Sequence, residues 1–282
     1  MKHNDYVNEQ VNQKDFFIKK KYSQNFLLDE NIIQKIIKSA GIDQNTNVIE
    51  IGPGFGALTK YLIKESNRVL LYEVDQELIP HLENLFKKQE NIHIINQDFL
   101  SIDDIDADIK SYLGNKKVVV LSNLPYHITT PIIMKILEES QMVKRLVLMM
   151  QLEVAKRLTS EPNSKDYNAL SMIIQDQTKA KYLFKVPKTV FHPKPKVDSA
   201  VIRLDVKENH KKDPNFYQFL HASFKQRRKT LINNLHGHYA IDKDQLKNVF
   251  NQLSLDDRIR AEALNLEQMK VIYNYLLKEE YI

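Results

Sequence analysis

The sequence predicts an α/β protein in which a parallel sheet is followed by a small helical domain. Three observations carry this prediction. Short apolar runs alternate with amphipathic segments up to about residue 150, a Gly-rich loop follows the first apolar run, and only helical periodicity is found after residue 213. Such alternation is typical of a parallel sheet covered by helices on both faces, and ligands of these sheets bind at the carboxyl ends of the strands.

The first amphipathic segment, residues 29–40, has apolar side chains at 32, 33, 36 and 37, which share one helical face. Asp29 is a candidate N-cap and Gly41 a candidate stop. Apolar runs then predict strands at residues 47–51, 69–74, 92–96, 117–122 and 145–150. The segments between them predict helices near residues 56–65, 76–88, 101–112 and 129–140.

The pattern changes beyond residue 160. Two strands are expected at residues 180–186 and 199–206, separated by a loop rich in proline and lysine. Helices are then expected near residues 214–224, 226–235, 243–252 and 267–279. We therefore divide the chain into a poorly ordered polar leader, a main domain and a small helical domain, over residues 1–15, 16–208 and 209–282.

Composition excludes several classes of function. The 282 residues include no cysteine, which rules out disulfides, thiolate catalysis and Cys-based zinc sites. The first twenty residues lack the apolar core of a secretory signal, and no apolar run approaches the ~18 residues of a membrane span. We expect a cytoplasmic protein without a membrane partner. The net charge of +5 is too small to argue for nucleic acid by itself.

The Gly-rich loop is a candidate cofactor site. Gly52, Gly54 and Gly56 follow a predicted strand and precede a predicted helix, where a tight turn lets the backbone approach a ligand. Glu73 ends the next strand 21 residues after Gly52, a spacing at which a carboxylate accepts hydrogen bonds from ribose hydroxyls. Asp98 ends the third strand and could bind an adenine amino group, although strand-end acids are often only helix caps.

The order of glycines in this loop indicates which cofactor it holds. The pattern Glu-x-Gly-x-Gly-x-Gly differs from the Gly-x-Gly-x-x-Gly of dinucleotide sites. The pattern therefore favours S-adenosylmethionine over NAD.

The loop Asn123-Leu124-Pro125-Tyr126 follows another predicted strand and suits an amino group attached to a ring. The Asn123 side-chain oxygen and the Leu124 carbonyl could each accept a hydrogen bond from that amine, which would localise its lone pair without a general base. Pro125 would stiffen the loop, and Tyr126 would lie against the base. The alternative is an ordinary turn with Tyr126 in the core.

Phe191 lies in the Pro- and Lys-containing loop and could stack on an extruded base, or be a core residue at a loop corner. The stretch from residue 179 to 196, which includes Lys194 and Lys196, has six lysines and no acid. A second basic stretch is Lys19-Lys20-Lys21, and a third cluster, expected on a helical segment, contains Lys225, Arg227, Arg228 and Lys229. Such clusters are often solvated faces, but beside a base-handling loop they favour a phosphate backbone.

Five motifs stand in a recognisable order, at residues 22–27 (Tyr-Ser-Gln-Asn-Phe-Leu), 50–59, 123–126, 191–199 and 224–231. Through them, over roughly residues 16–280, the chain resembles the ribosomal RNA adenine N6-dimethyltransferases. The resemblance is closest to the bacterial branch that dimethylates two adjacent adenines in a hairpin near the 3′ end of 16S rRNA.

The resemblance implies a Rossmann-like S-adenosylmethionine-dependent methyltransferase domain with a small all-helical C-terminal domain. It implies that the target adenine lies between Tyr126 and Phe191. The implied cofactor contacts are Asn25, Leu27, Gly52, Glu73, Asp98 and Asn123, of which Asn25 and Leu27 enter through the resemblance alone. The implied partner is 16S rRNA in the immature small subunit, with a role in ribosome biogenesis. We expect a monomer and no metal.

Two alternatives remain. A 23S rRNA adenine N6-methyltransferase of the macrolide-resistance type shares the fold and several motifs, although the length, Leu124 and the helix after residue 224 favour the small-subunit enzyme. A ribosome assembly factor with dispensable catalysis would show erosion of the Gly-rich loop, Glu73, Asp98 or Asn123, and all of these are present.

Overall fold

The computed structural model describes residues 26–27, 29–208 and 212–282. The described chain forms two compact units. The sheet unit contains the residues up to Ala155 together with Lys181–Lys207, and the helical unit contains Lys156–Ala180 and Glu208–Ile282. The leader predicted over residues 1–15 lies outside the described residues.

The described residues form nine strands. In chain order these are β1 (Phe26–Leu27), β2 (Asn47–Ile51), β3 (Arg68–Glu73), β4 (Ile92–Asn96), β5 (Val118–Asn123), β6 (Val143–Gln151), β7 (Thr178–Val186), β8 (Phe191–His192) and β9 (Ser199–Val206). Seven of them form one sheet in the order β4-β3-β2-β5-β6-β9-β7. Strands β4 to β6 in this order run parallel, and β9 is antiparallel to β6. Strands β1 and β8 form a separate antiparallel pair.

The described helices alternate with these strands and then continue alone. They are α1 (Glu30–Ala40), α2 (Thr59–Glu65), α3 (Ile79–Phe86), α4 (Ile105–Asp108), α5 (Thr129–Glu139), α6 (Leu152–Leu158), α7 (Ala169–Gln177), α8 (Pro214–Ser223), α9 (Leu231–Tyr239), α10 (Lys243–Gln252) and α11 (Leu266–Lys278). Helix α1 begins as predicted, because the Asp29 carboxylate accepts from the Ile32 N–H at 3.0 Å. It ends at Gly41, which has a left-handed φ of 59°.

The strand order places the two sequence motifs at one point of the sheet. Strand β2 has β3 on one side and β5 on the other, so the direction in which strands are added reverses there. Such a reversal leaves a crevice outside the carboxyl ends of the two central strands. The Gly-rich loop follows β2 and the Asn-Leu-Pro-Tyr loop follows β5. All five residues of β2 and the first five of β5 are buried, which fixes both loops to a rigid base.

The predicted strands at 47–51, 92–96 and 199–206 are confirmed at those bounds, and the others lie within three residues of their predicted ends. The helix predicted at 101–112 is divided into a 3₁₀ turn, α4 and a π-helical turn at Ile109–Leu113. The division arises because Asp98 and Asp104 each accept a backbone N–H and start a new turn. The short strands β1 and β8 and the helices α6 and α7 were not predicted.

The prediction that residues 225–229 are helical is wrong. These residues form a turn between α8 and α9, and α9 begins at Leu231 after the Thr230 cap. The Asn234 side chain holds the turn, because its amide donates to the Ser223 and Gln226 carbonyls at 2.8 and 3.2 Å. These hydrogen bonds satisfy carbonyls that a continuing helix would otherwise bond.

The two units differ from the sequence-based division in one segment. Residues 156–180 group with the helical unit rather than with the sheet. Helix α7 packs against α8 and α11 there, and its buried Asp176 forms an ion pair with Lys270 at 2.8 Å. The second break between the units falls between Lys207 and Glu208. None of the described helices is long and apolar enough to cross a membrane.

Candidate functional site

A cavity opens at the carboxyl ends of the central strands of the sheet unit. The space between its walls, including the open solvent at its mouth, is about 1130 Å³. The lining residues come from β1, from the loops after β2 to β5 and from the start of α5. They include Phe26, Leu27, Glu50, Gly52, Gly54, Phe55, Glu73, Val74, Gln97, Asp98, Phe99, Asn123, Leu124, Pro125 and Tyr126. The loops predicted to hold a cofactor and a base therefore face one cavity.

The Gly-rich loop is held to the end of β3 by two backbone donors. The Gly52 N–H donates to the Tyr72 carbonyl at 2.8 Å, and the Gly54 N–H donates to the Glu73 carboxylate at 3.2 Å. Gly54 has a φ of +58°, and a Cβ atom there would lie 3.0 Å from the ring of Phe26. The position therefore requires glycine both for its backbone conformation and for the space beside that ring.

Glu73 is a buried carboxylate, with 4% of its surface exposed. Its second oxygen accepts from the Asp75 N–H at 2.9 Å. Burial raises the pKa of Glu73, while the two backbone hydrogen bonds oppose that rise. Each carboxylate oxygen has a further lone pair, so Glu73 retains acceptor capacity for ligand hydroxyls.

Glu50, near the end of β2, also lines the cavity and was not predicted as a site residue. It is 2% exposed, and its carboxyl group accepts from the Thr59 hydroxyl at 2.6 Å. Burial raises the pKa of Glu50 to about 8, and nearby Glu73 contributes to the rise. The carboxyl group of Glu50 therefore keeps its proton to a higher pH than an ordinary strand-end acid does. The sequence feature that could have identified Glu50 as a site residue is its position as the first residue of the Glu-x-Gly-x-Gly-x-Gly pattern.

Asp98 follows β4 at the cavity wall and is exposed. One of its oxygens accepts from the Leu100 N–H at 2.9 Å and caps the short 3₁₀ turn. Asp98 therefore caps a turn, which was the alternative to a ligand-binding role that the sequence left open. A carboxylate can cap a turn and still accept a ligand's amino group, because about four lone-pair sites are available.

The Asn-Leu-Pro-Tyr loop lines the cavity with all four residues. The Leu124 N–H donates to the Met149 carbonyl at 3.2 Å, which ties the loop to β6. The Pro125 carbonyl accepts from the Ile128 N–H at 3.2 Å and closes the turn into α5. Tyr126 is half-buried, and its hydroxyl shares a hydrogen bond with the Ser199 hydroxyl at 2.8 Å. The loop is thus fixed at both ends.

Three predicted residues of the β1–β8 region have different outcomes. Leu27 lines the cavity, as the resemblance implied. Asn25 lies outside the described residues. Phe191 is 4% exposed and packs in the core beside Leu27, with which its backbone pairs, and it is not among the lining residues. The structure thus brings Leu27 to the cavity but does not bring the Phe191 ring there, and base stacking by Phe191 stays a prediction.

The described side chains predicted to bind RNA are all exposed, in two separate stretches, and Lys19-Lys20-Lys21 lies outside the described residues. Lys194 and Lys196 lie in the loop between β8 and β9 of the sheet unit. In the helical unit, the predicted RNA-binding side chains lie on the turn after α8; they are Lys225, Arg227, Arg228 and Lys229. Arg227 is also paired with Glu262 at 2.9 Å. Exposed cations on irregular segments suit a phosphate backbone, which needs charge and little shape.

Two aromatic residues at the cavity were missed from the sequence. The rings of Phe26 and Phe55 lie 4.6 Å apart, and they pack with Leu78. Phe26 reaches the cavity through β1, which has two residues and so shows no periodicity from which a strand could be predicted. Within the described ranges, no group of three or more His, Asp or Glu side chains is placed to hold a metal ion.

Comparison with known proteins gives concordant results. A family model described as "Ribosomal RNA adenine dimethylase" matches residues 16–278. A protein named "Ribosomal RNA small subunit methyltransferase A" from Bacillus pumilus is 43% identical over 93% of this chain and 92% of its own length. A protein of the same name from Clostridioides difficile is 40% identical over 95% of this chain and 94% of its own length.

One solved structure supports the fold at lower identity. A dimethyladenosine transferase from Plasmodium falciparum superposes with a TM-score of 0.76, covering 90% of this chain and 98% of that one, at 24% identity.

Proposed function

The chain belongs to the ribosomal RNA adenine dimethylase family, and from this we propose that it dimethylates the N6 amines of two adjacent adenines in the 3′-terminal hairpin of 16S rRNA. The relatives at 40–43% identity carry names that assign them to the small ribosomal subunit. The observation that carries the proposal is the meeting of two loops in one cavity. The Gly-rich loop after β2 and the Asn-Leu-Pro-Tyr loop after β5 line the same space.

The methyl donor is S-adenosylmethionine, and the cavity fits it. Gly52 and Gly54 form a tight turn with positive φ angles of 68° and 58°. Because both are glycines, no side chain projects from the loop at these two positions. Glu73 offers a carboxylate to ribose hydroxyls, and Asp98 offers one to the adenine amino group. Apolar neighbours for the purine come from Val74 and Phe99. S-adenosylmethionine, when bound, supplies an electrophilic methyl group whose bond to sulfur breaks as the bond to nitrogen forms.

The Asn-Leu-Pro-Tyr loop prepares the acceptor amine. The lone pair of an adenine amine is delocalised into the ring, which makes the nitrogen a poor nucleophile. Hydrogen bonds from the amine to the Asn123 side-chain oxygen and the Leu124 carbonyl localise the lone pair on nitrogen. Tyr126 lies against the base and fixes its plane. Position and fixed dipoles therefore lower the barrier. Each transfer exchanges one N–H bond for an N–CH₃ bond and releases the proton to solvent, so the amine has a single N–H left to donate in the second transfer.

The exposed cations bind the RNA backbone. Lys194 and Lys196 in the sheet unit and the basic turn after α8 each neutralise phosphates on the hairpin or its surroundings. Binding through phosphates releases counterions, so affinity falls steeply with salt. These interactions position the RNA without reading its sequence.

The substrate is the immature small subunit, and the protein has a role in its biogenesis. It acts as a monomer, in the cytoplasm where ribosomal subunits are assembled. No metal takes part, because activation of the amine needs only acceptors and position. Base stacking by Phe191 on the face opposite Tyr126 requires a movement of β8, because the ring packs in the core and does not line the cavity.

A 23S rRNA methyltransferase is the second candidate. The structure of a 23S rRNA methyltransferase, ErmE, superposes with a TM-score of 0.69 over 89% of this chain and 99% of that one. Its 23% identity supports a shared fold alone, whereas the relatives named for the small subunit are 40–43% identical.

The test is transfer of labelled methyl groups from S-adenosylmethionine to purified small and large ribosomal subunits that lack the adenine modification. We expect label on the small subunit only. Label on the large subunit would assign the protein to the 23S rRNA methyltransferases of the macrolide-resistance type. Binding to small subunits without any transfer would assign it to assembly factors that keep the fold without the chemistry.

A further inference from the structure

The hydroxyl of Tyr126 has one hydrogen-bond partner among the described residues, the Ser199 hydroxyl at 2.8 Å. Ser199 is fully buried, at 0% exposure, and begins β9. It pairs in the sheet with Gln151 at the end of β6, so its backbone cannot shift independently of the central strands. Tyr126, in contrast, is half-buried in a loop and faces the cavity. A half-buried aromatic ring is thus tied by its far end to a rigid strand.

Asp198, the neighbour of Ser199, ties down the basic loop. One carboxylate oxygen accepts from the Lys188 N–H at 2.9 Å, and the other forms an ion pair with Lys185 at 2.7 Å. The Lys188 ammonium in turn donates to the Lys196 carbonyl at 3.2 Å. The Asp198 carbonyl accepts from the Leu152 N–H at 3.0 Å, which fixes Asp198 to the end of β6. The two ends of the loop from residue 188 to 198 are therefore held together by hydrogen bonds.

Resting on the proposed function, we propose that Asp198 and Ser199 form one anchor with two roles in methyl transfer. Ser199 is a positioning residue that sets the plane of the Tyr126 ring, and so the plane of the adenine lying against it. Asp198 is a positioning residue that holds the basic loop where its lysines meet the RNA backbone. The adjacency of the two residues places the base-holding ring and the phosphate-binding loop in a fixed relation.

The orientation of the ring matters because methyl transfer tolerates little misalignment of the reacting atoms. The amine must approach the methyl carbon in line with the bond that breaks, and a displacement of about 1 Å can lower the rate by about 100-fold. Stacking fixes the distance between a base and an aromatic ring, but it does not prevent the base from sliding across the ring or the pair from tilting together. The Tyr126–Ser199 hydrogen bond removes tilting of the ring itself. Its loss should therefore lower kcat more than it weakens RNA binding.

The experiment is a double-mutant cycle with Ser199→Ala and Tyr126→Phe, assayed on small subunits that lack the modification. Each single change is expected to lower kcat by about 10-fold or more, with the KM for subunits and the Kd for S-adenosylmethionine within about three-fold of wild type. The double variant should be no slower than the singles, because both remove the same hydrogen bond. Multiplying effects, or wild-type kcat in either variant, would overturn the proposal.

Ser66→Ala is the matched control. Ser66 is also buried, at 1% exposure, and its hydroxyl donates to the Leu62 carbonyl at 2.6 Å, outside the cavity lining. It should lower Tm without changing kcat. If Ser199→Ala does not fold, Tyr126→Phe decides alone, because it removes the hydroxyl and keeps the ring. Wild-type kcat in that variant would overturn the positioning role.

Asp198→Ala tests the second role. It should raise the KM for subunits about five-fold or more and leave kcat near wild type, the reverse of Ser199→Ala. A lower kcat with unchanged KM would contradict this division. Absence of transfer by the wild-type protein would remove the proposed function itself, whereas wild-type transfer with unaffected variants would remove only the anchor.

Discussion

The Glu73 carboxylate accepts a hydrogen bond from the Gly54 N–H at 3.2 Å, which joins the end of β3 to the loop after β2. The two features that indicated a cofactor in the sequence are therefore one structural unit. Glu73 holds the loop in the conformation that its glycines permit, and the loop keeps Glu73 at the cavity wall. Changes to either residue should then affect cofactor binding and stability together.

Glu73→Gln should weaken S-adenosylmethionine binding by about 10-fold or more. An amide has one acceptor oxygen, so its NH₂ group would face either the Gly54 or the Asp75 N–H donor. A buried donor left unpaired costs about 1–3 kcal/mol, which also lowers Tm. Calorimetric titration measures the affinity. Glu83→Gln, an exposed change on α3 outside the cavity, is the control, and equal affinities for the two variants would contradict the role of Glu73.

Gly54→Ala should destabilise the protein and abolish tight cofactor binding. Its left-handed backbone disfavours alanine by about 1–2 kcal/mol, and the new methyl would press on Phe26. Gly237→Ala provides the contrast, because Gly237 lies inside α9 and a Cβ added there would meet nothing within 4 Å. That change should raise stability by about 0.5–1 kcal/mol. Denaturant unfolding measures both, and a neutral Gly54→Ala would be inconsistent with the strain described.

Asn123→Ala should reduce methyl transfer by about 100-fold or more while binding to immature small subunits survives. The change removes one of the two acceptors proposed for the amine, and removal of one such oriented group typically lowers kcat by about 10²–10³. Single-turnover transfer and subunit co-sedimentation separate the two effects. Asn115→Ala, an exposed change outside the cavity, should behave as wild type. Joint loss of transfer and binding would argue against a site-specific role for Asn123.

Glu50 should make stability depend on pH between about 5 and 8. Its folded-state pKa of about 8 lies above the ordinary 4.5, so the protonated form favours folding. This contribution is fully present below about pH 4.5 and is lost as the pH rises through about 8. Glu50→Gln keeps an acceptor for Thr59 and has no proton to lose. The difference in unfolding free energy between wild type and variant should fall with pH, by at most about 1.4 kcal/mol per unit. Parallel pH profiles would contradict a protonated Glu50.

Charge reversal on the turn after α8 should weaken RNA binding and reduce its salt dependence. Arg228→Glu combined with Lys229→Glu removes two exposed cations that have no part in the cavity. The slope of log affinity against log salt should become less negative by about one for each phosphate that the variant no longer neutralises. Lys278→Glu combined with Lys88→Glu, two exposed changes at the end of α11 and after α3, is the control with the same change in net charge. Equal slopes for wild type and the double variant would exclude this turn from the interface.

Most of the fold could be predicted because its strands are short apolar runs bounded by clear breaks. The Gly-rich loop, Glu73, Asp98 and the Asn-Leu-Pro-Tyr loop all follow such strands, so their convergence follows from a parallel sheet. The order of strands, which creates the crevice between β2 and β5, does not follow from local patterns. Neither does the raised pKa of Glu50, because it depends on burial by neighbours distant in sequence.

Other features depend on tertiary interactions that leave no periodic signal. The strand β1 has two residues and exists through its pairing with β8, which also buries Phe191. The basic turn resembles a helix in composition, but Asn234 bonds the carbonyls that would continue one. The role of Ser199 depends on the place where β9 begins, beside Tyr126, which is 73 residues away in sequence.

The most direct measurement is mapping of methylated nucleosides, at single-nucleotide resolution, in 16S rRNA from unmodified small subunits incubated with the protein and S-adenosylmethionine. We expect N6,N6-dimethyladenine at two adjacent positions of the 3′-terminal hairpin, formed about 100-fold more slowly or not at all with Asn123→Ala. Methylation at other positions, or the same products formed at the wild-type rate by the Asn123 variant, would contradict the assignment of the Asn-Leu-Pro-Tyr loop as the site that holds the adenine amine.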